Sequence, residues 1–214
     1  VVVGLIDRLG LRHRFNRWLF QRAAQILHTL RLEGLELDLS INLSATDLYD
    51  AEVPDLIAQA LATWNVRAPS LCLEITETSM IDETAGNNVS EVLYRLRQLG
   101  VSLSIDDFGT GFSGMSRLKR LAVQEVKIDR SFVIDLLTSE RDREIAASII
   151  DLSHRLGVEV TAEGVEDERT ASLLAAMGCD HIQGFLFAQA LPLTAFIAWV
   201  RERVGIGVVA AEQK

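Results

Sequence analysis

Along the chain, short runs in which apolar and polar residues alternate are separated by longer stretches with helical periodicity. That succession predicts parallel strands joined by crossover helices. Six strands are predicted, at residues 35–43, 71–76, 101–106, 125–128, 158–163 and 181–183. Amphipathic helices are predicted between them, among them 14–33, with Phe15, Trp18, Leu19, Ile26, Leu27 and Leu30 on its apolar side, and 89–99. Gly34, Gly100, Gly157 and Gly178 each follow such a stretch where a left-handed C-terminal cap falls, and Pro54 and Pro192 mark helix starts. A last helix is expected over 193–204, with 205–214 as a frayed tail, so that 1–204 forms one barrel domain.

The phase of the alternation carries the chemistry. Leu35, Leu37, Leu39, Ile41 and Leu43 share one face of the first strand, and Asn42 lies on the other. On the later strands Glu74, Asp106, Lys127, Glu163 and Gln183 fall in that same polar phase, close to the C-terminal end. In a (β/α)8 barrel the apolar phase faces the helices, and the C-terminal strand ends form the active-site mouth. Six polar residues are therefore expected to converge on one mouth, with Asp107 beside Asp106. Taken singly, each has an ordinary explanation as a cap, a turn residue or a solvated charge. Six in one phase on six strands do not.

Composition narrows the chemistry. The 214 residues carry a formal charge of −9, with 49% hydrophobic and 24% charged residues, which fits one globular α/β domain and argues against a long nucleic acid as partner. No apolar run is long enough to cross a membrane, and no signal peptide is evident. Cys72 and Cys179 lie far apart without metal-site spacing and are expected to be reduced thiols of a cytoplasmic protein. Carboxylates and an amide, without His or Cys, suit Mg²⁺ or Mn²⁺, with Ca²⁺ as competitor. Two such ions would polarise a phosphoryl oxygen and acidify a water, the usual chemistry of phosphodiester cleavage.

The segments INLSA (41–45), LEITET (73–78), IDDFGTGFSGMSRL (105–118), VKIDRSF (126–132), TAEGVE (161–166) and IQGFLF (182–187) resemble, in order, the signature segments of EAL domains. The resemblance implies a TIM-type (β/α)8 barrel that hydrolyses cyclic di-GMP to linear pGpG with two Mg²⁺ or Mn²⁺ ions, Ca²⁺ being inhibitory. It implies that Asn42, Glu74 and Asp106 bind the first metal, that Asp106 and Asp107 bind or bridge to the second, and that Lys127 orients the attacking water. Glu163 would act as general base or metal-site partner, Gln183 would hold a water or ligand, and Glu77 would anchor the loop at 108–116. A homodimer and regulatory or GGDEF-type domains in a longer parent protein are further implications.

Two departures qualify that reading. The family's Glu-Ala-Leu motif, on its second strand, does not occur in the chain, and the resemblance places it before Val1. The barrel is thus expected to lack its first two strands and one metal-ligating glutamate, leaving this chain alone weak or inactive. After Gln183 the family's Ser-Lys/Arg-Pro is replaced by Ala188-Gln189-Ala190. The alternative function is a catalytically inactive EAL-type receptor for cyclic di-GMP, a protein-interaction module or a dimerisation scaffold.

Overall fold

The computed structural model describes residues 5–6, 8–77, 87–110 and 123–204. Six parallel strands form one sheet in sequential order: β1 (Leu39–Leu43), β2 (Leu71–Thr76), β3 (Ser102–Phe108), β4 (Glu125–Ile128), β5 (Glu159–Ala162) and β6 (His181–Ile182). Helices α1 (Arg12–Leu32), α2 (Ala45–Leu48), α3 (Val53–Trp64), α4 (Asn87–Leu99), α5 (Arg130–Val133), α6 (Glu140–Arg155), α7 (Glu168–Ala176) and α8 (Leu193–Val204) surround it. Neighbours in the chain are neighbours in the sheet, which is the strand order of a TIM-type barrel. The expected tail at 205–214 lies outside the described residues.

Both phases of β2 are buried, from Leu71 to Ile75, because one faces the helices and the other the barrel interior. The apolar phase joins β2, β3, β4 and β5 to α1, α3, α4 and α6 in one core. The four expected glycine caps adopt positive φ. Several boundaries differ from expectation. β1 begins at Leu39, where pairing with Leu71 starts. Upstream of it, Leu35 and Leu37 pack with Leu30 and Val200 of α8 in a separate cluster, reinforced by an Arg201–Glu33 ion pair at 2.6 Å. β3 runs on to Phe108, whereas β5 and β6 stop at Ala162 and Ile182, so Glu163 and Gln183 lie just beyond their strands. The apolar face of α1 is also corrected. Its buried residues are Asn16, Phe20, Ala23, Ala24, Leu27 and Leu30, while Trp18 is 60% exposed.

The turn after β1 is fixed by a buried carboxylate. Asp47 completes a capping box with Ser44 and accepts a 2.7 Å hydrogen bond from the Asn16 amide of α1, with Arg12 at 3.6 Å. Elsewhere two backbones approach closely: a Cβ at residue 184 would overlap the carbonyl and amide of Val165, so the turn after β6 admits only glycine.

Asp47→Ala removes a cap and leaves the buried Asn16 amide unpaired, and should lower unfolding free energy by about 2 to 3 kcal/mol with an unchanged urea m-value. Gly184→Ala must separate the β5 and β6 turns and should cost about 3 kcal/mol or more in the same measurement.

Candidate active site

The polar strand ends converge on a lysine. Lys127, on β4, is 3% exposed. Its ammonium donates to Glu74 Oε1 of β2 at 2.8 Å, forms a short contact with Glu163 Oε1 after β5, and lies 3.8 Å from Asp106 Oδ1 of β3. Parallel pairing in register produces this meeting: Glu74 is opposite Asn42 on one side and Ser104 on the other, and Thr76 is opposite Asp106. The backbone N–H of Glu163 donates to Ile128 O, one residue past Lys127, at 3.2 Å.

The remaining predicted residues take different places. Asn42 faces solvent on β1 across from Glu74. Glu77, 2% exposed, accepts a 3.0 Å hydrogen bond from the Gly109 N–H. This contact holds the start of the loop expected at 108–116, of which 111–116 lie outside the described residues. Gln183 is exposed and lines an open groove beside Thr161, Phe185, Phe187 and Trp199 rather than the lysine cluster. Cys72 and Cys179 are free, and burial pushes their thiols up to about 12 and about 11.

Burial, ion pairing and neighbouring like charges together set the electrostatics. Burial works against the Lys127 charge, but the hydrogen bonds to Glu163 and Glu74 and their negative charges outweigh it and hold the ammonium above its usual range. Glu163 is raised by burial and by the charges of Asp106 and Glu74, with Lys127 pulling the other way. Asp107 is raised by burial, then by the charges of Asp106 and Asp129 and a side-chain hydrogen bond to Asp129. It also holds a left-handed backbone, φ 54°, uncommon for a non-glycine though Asp tolerates it better than most.

Asp129 was not among the predicted site residues. It caps α5 by accepting from the Ser131 N–H at 3.0 Å, and it meets Asp107 at the same time. The signal was available, because Asp129 follows Lys127 by two residues and so continues its inward phase. Asp106, Asp107 and Glu163 each offer an oxygen, all within 4.8 Å of one another. An all-oxygen set at the end of parallel strands fits a hard divalent cation and lacks the nitrogen or sulfur ligands usual for zinc.

The EAL domain family matches residues 2–190. The cyclic di-GMP phosphodiesterase NbdA of Pseudomonas aeruginosa is 40% identical over 203 residues, 93% of this chain and 25% of NbdA. The solved structure of the MucR phosphodiesterase from the same organism, in complex with c-di-GMP, superposes with a TM-score of 0.83 at 33% identity, covering 91% of this chain and 78% of that one. Klebsiella pneumoniae BlrP1, solved as manganese/cy-diGMP and calcium/cy-diGMP complexes, gives a TM-score of 0.74 at 34% identity over 83% of this chain and 44% of BlrP1. The chain spans about a quarter of the length of the first curated relatives it matches, 25% to 26%. Among the described residues no helix is long and apolar enough to cross a membrane. A family match over nearly the whole chain, with relatives at this identity, means that the protein belongs to the EAL domain family, whose members include cyclic di-GMP phosphodiesterases.

Proposed function

We propose that this chain is the cyclic di-GMP phosphodiesterase domain of a larger cytoplasmic signalling protein. In this reading it opens the cyclic dinucleotide to linear pGpG and works as a homodimer alongside regulatory domains. The observation that carries the proposal is the Lys127 ammonium enclosed by Glu74, Asp106 and Glu163, with Asp107 at the same mouth. A receptor or scaffold has no need of a buried lysine set against water-activating carboxylates.

Glu74, Asp106 and Asp107, with Asn42 and Asp129 beside them, would hold two Mg²⁺ or Mn²⁺ ions. Bound there, the ions would neutralise phosphodiester charge and acidify a water. Lys127, fixed by two carboxylates, orients that water at the mouth. Glu163, raised by burial and by its acidic neighbours, is poised to take the water's proton. Glu77 holds Gly109 and with it the loop that begins at the Asp106–Asp107 pair. Gln183 binds a water or the ligand from the adjoining groove. The two strands that would complete an eight-stranded barrel belong at the open edges of β1 and β6, and the family's Glu-Ala-Leu glutamate would join Asn42 and Glu74 from there.

The test is hydrolysis of cyclic di-GMP with Mn²⁺, in the full-length polypeptide and in the 214-residue chain. The full-length protein should release pGpG, lose that activity in EDTA, and lose about 1000-fold or more with Asp106→Asn or Glu74→Gln. The chain alone should turn over weakly. Tight binding of cyclic di-GMP without turnover by the full-length protein would overturn the enzymatic reading in favour of a receptor.

Lys127→Met separates charge balance from metal binding. It leaves Glu74, Asp106 and Glu163 facing one another without a counter-ion and should cost about 3 to 5 kcal/mol of stability in the metal-free protein. Turnover should fall while Mn²⁺ still binds, and Mn²⁺ should raise the melting temperature more in this variant than in the parent, as differential scanning would report.

A further inference from the structure

Glu163 lies on a short turn between β5 and α7, and a turn is a poor platform for a group that must be aimed. The turn is gripped from two sides. On one, the Val165 N–H donates to Gln183 O at 3.0 Å, the Leu186 N–H donates to Val165 O at 3.0 Å, and Gly184 lies flush against the Val165 backbone. On the other, the aliphatic stem of Arg130 covers Gly164. A Cβ at residue 164 would overlap Arg130 Cγ and lie 2.8 Å from its Cδ. Gly164 is at φ 71°, so the turn has the left-handed backbone that favours glycine, and Arg130 fills the space a side chain would need. The guanidinium then reaches past Gly164 to Glu166 Oε1 at 2.7 Å. That ion pair is half exposed on both sides and contributes little by itself, but it stretches the stem across the turn.

Arg130 is the first residue of α5 and follows Asp129, whose carboxylate caps that helix. Two elements distant in sequence are therefore tied at Arg130: the start of α5 and the Glu163 turn. We propose that Arg130 is a positioning residue for Glu163, acting through the Gly164 backbone, with Glu166 as its anchor. This rests on the phosphodiesterase reading for its kinetic consequence and on the fold alone for its structural one. Without the Arg130 stem, Gly164 loses its cover, the turn is held only by the Glu163 N–H on Ile128 O and by the Val165 contacts, and the Glu163 carboxylate loses its fixed approach to Lys127.

The experiment combines kinetics with hydrogen exchange on the full-length protein. In Arg130→Ala, exchange at the Glu163 to Glu166 amides should accelerate about tenfold or more without Mn²⁺ or substrate, while amides of β2 and β3 stay unchanged. With cyclic di-GMP and Mn²⁺, kcat should fall about 10- to 100-fold with KM within about twofold. Arg130→Lys, which keeps the stem and a charge for Glu166, should recover most of both. In a Glu163→Gln background Arg130→Ala should cost nothing further, because its effect passes through Glu163. Unchanged exchange in Arg130→Ala overturns the proposal whether or not the protein hydrolyses cyclic di-GMP. An equal kcat loss in the Glu163→Gln background overturns it too, by making Arg130 act independently. Absence of hydrolysis in the parent, with exchange accelerated in Arg130→Ala, would overturn the phosphodiesterase reading and leave the latch standing.

Discussion

The buried ammonium of Lys127 is the interaction on which the mouth of this barrel depends. Removing a charge from water costs several kcal/mol and is tolerable only where partners replace the solvent. Here three other strands supply them: Glu74 from β2, Asp106 from β3 and Glu163 from the end of β5. The bargain is one-sided, with three carboxylates around one ammonium and Asp107 and Asp129 close by. Burial first, and then the neighbouring carboxylate charges, raise the affinities of Glu163 and Asp107 for protons. A site short of positive charge by this margin, and built from oxygen donors, suits a divalent cation.

Backbone contacts, more than side-chain packing, set where those carboxylates point. Asp107 is held left-handed, its N–H donating to Asp106 Oδ1 at 3.1 Å and its carbonyl accepting from the Thr110 hydroxyl at 2.8 Å. Gly164 and Gly184 allow the turns after β5 and β6 to lie against Arg130 and Val165 with no room for a Cβ. Among the described residues, the left-handed Asp107 and the two tightest glycine approaches, at Gly164 and Gly184, lie at the C-terminal ends of the strands. The opposite ends carry ordinary ladder extensions such as Asp180, whose carboxylate accepts from the Val160 N–H and contacts His154, both at 2.8 Å. Polar contacts at the mouth aim groups, whereas those at the base join elements.

Period-2 alternation made the architecture legible, because β2 to β5 are buried on their apolar phase and each strand pairs with the next in the chain. Glu74, Asp106, Lys127 and Glu163 were legible for the same reason, since phase and strand end together specify one mouth. What alternation did not encode was the fate of residues whose partner is distant in sequence. Leu35 and Leu37 continue the pattern of β1 yet pack on α8, because pairing with β2 begins at Leu39. On α1 the stripe through Trp18 is the more hydrophobic by residue type, but the smaller Ala23 and Ala24 let the helix approach the core, and Asn16 is drawn inside by Asp47. The role of Asp129 was obscured by its second identity as a helix cap.

The acidic balance of the chain bears on how it treats an anion. With 30 Asp and Glu against 21 Lys and Arg, and with the mouth itself acidic, a phosphodiester approaching it meets repulsion. Neither Lys127 nor Arg130 is free to offset that field, since each is already committed to carboxylates. A divalent cation at the Asp106, Asp107 and Glu163 oxygens would offset that field, and a cation and an anion bound side by side there would each strengthen the other's hold by reciprocal linkage.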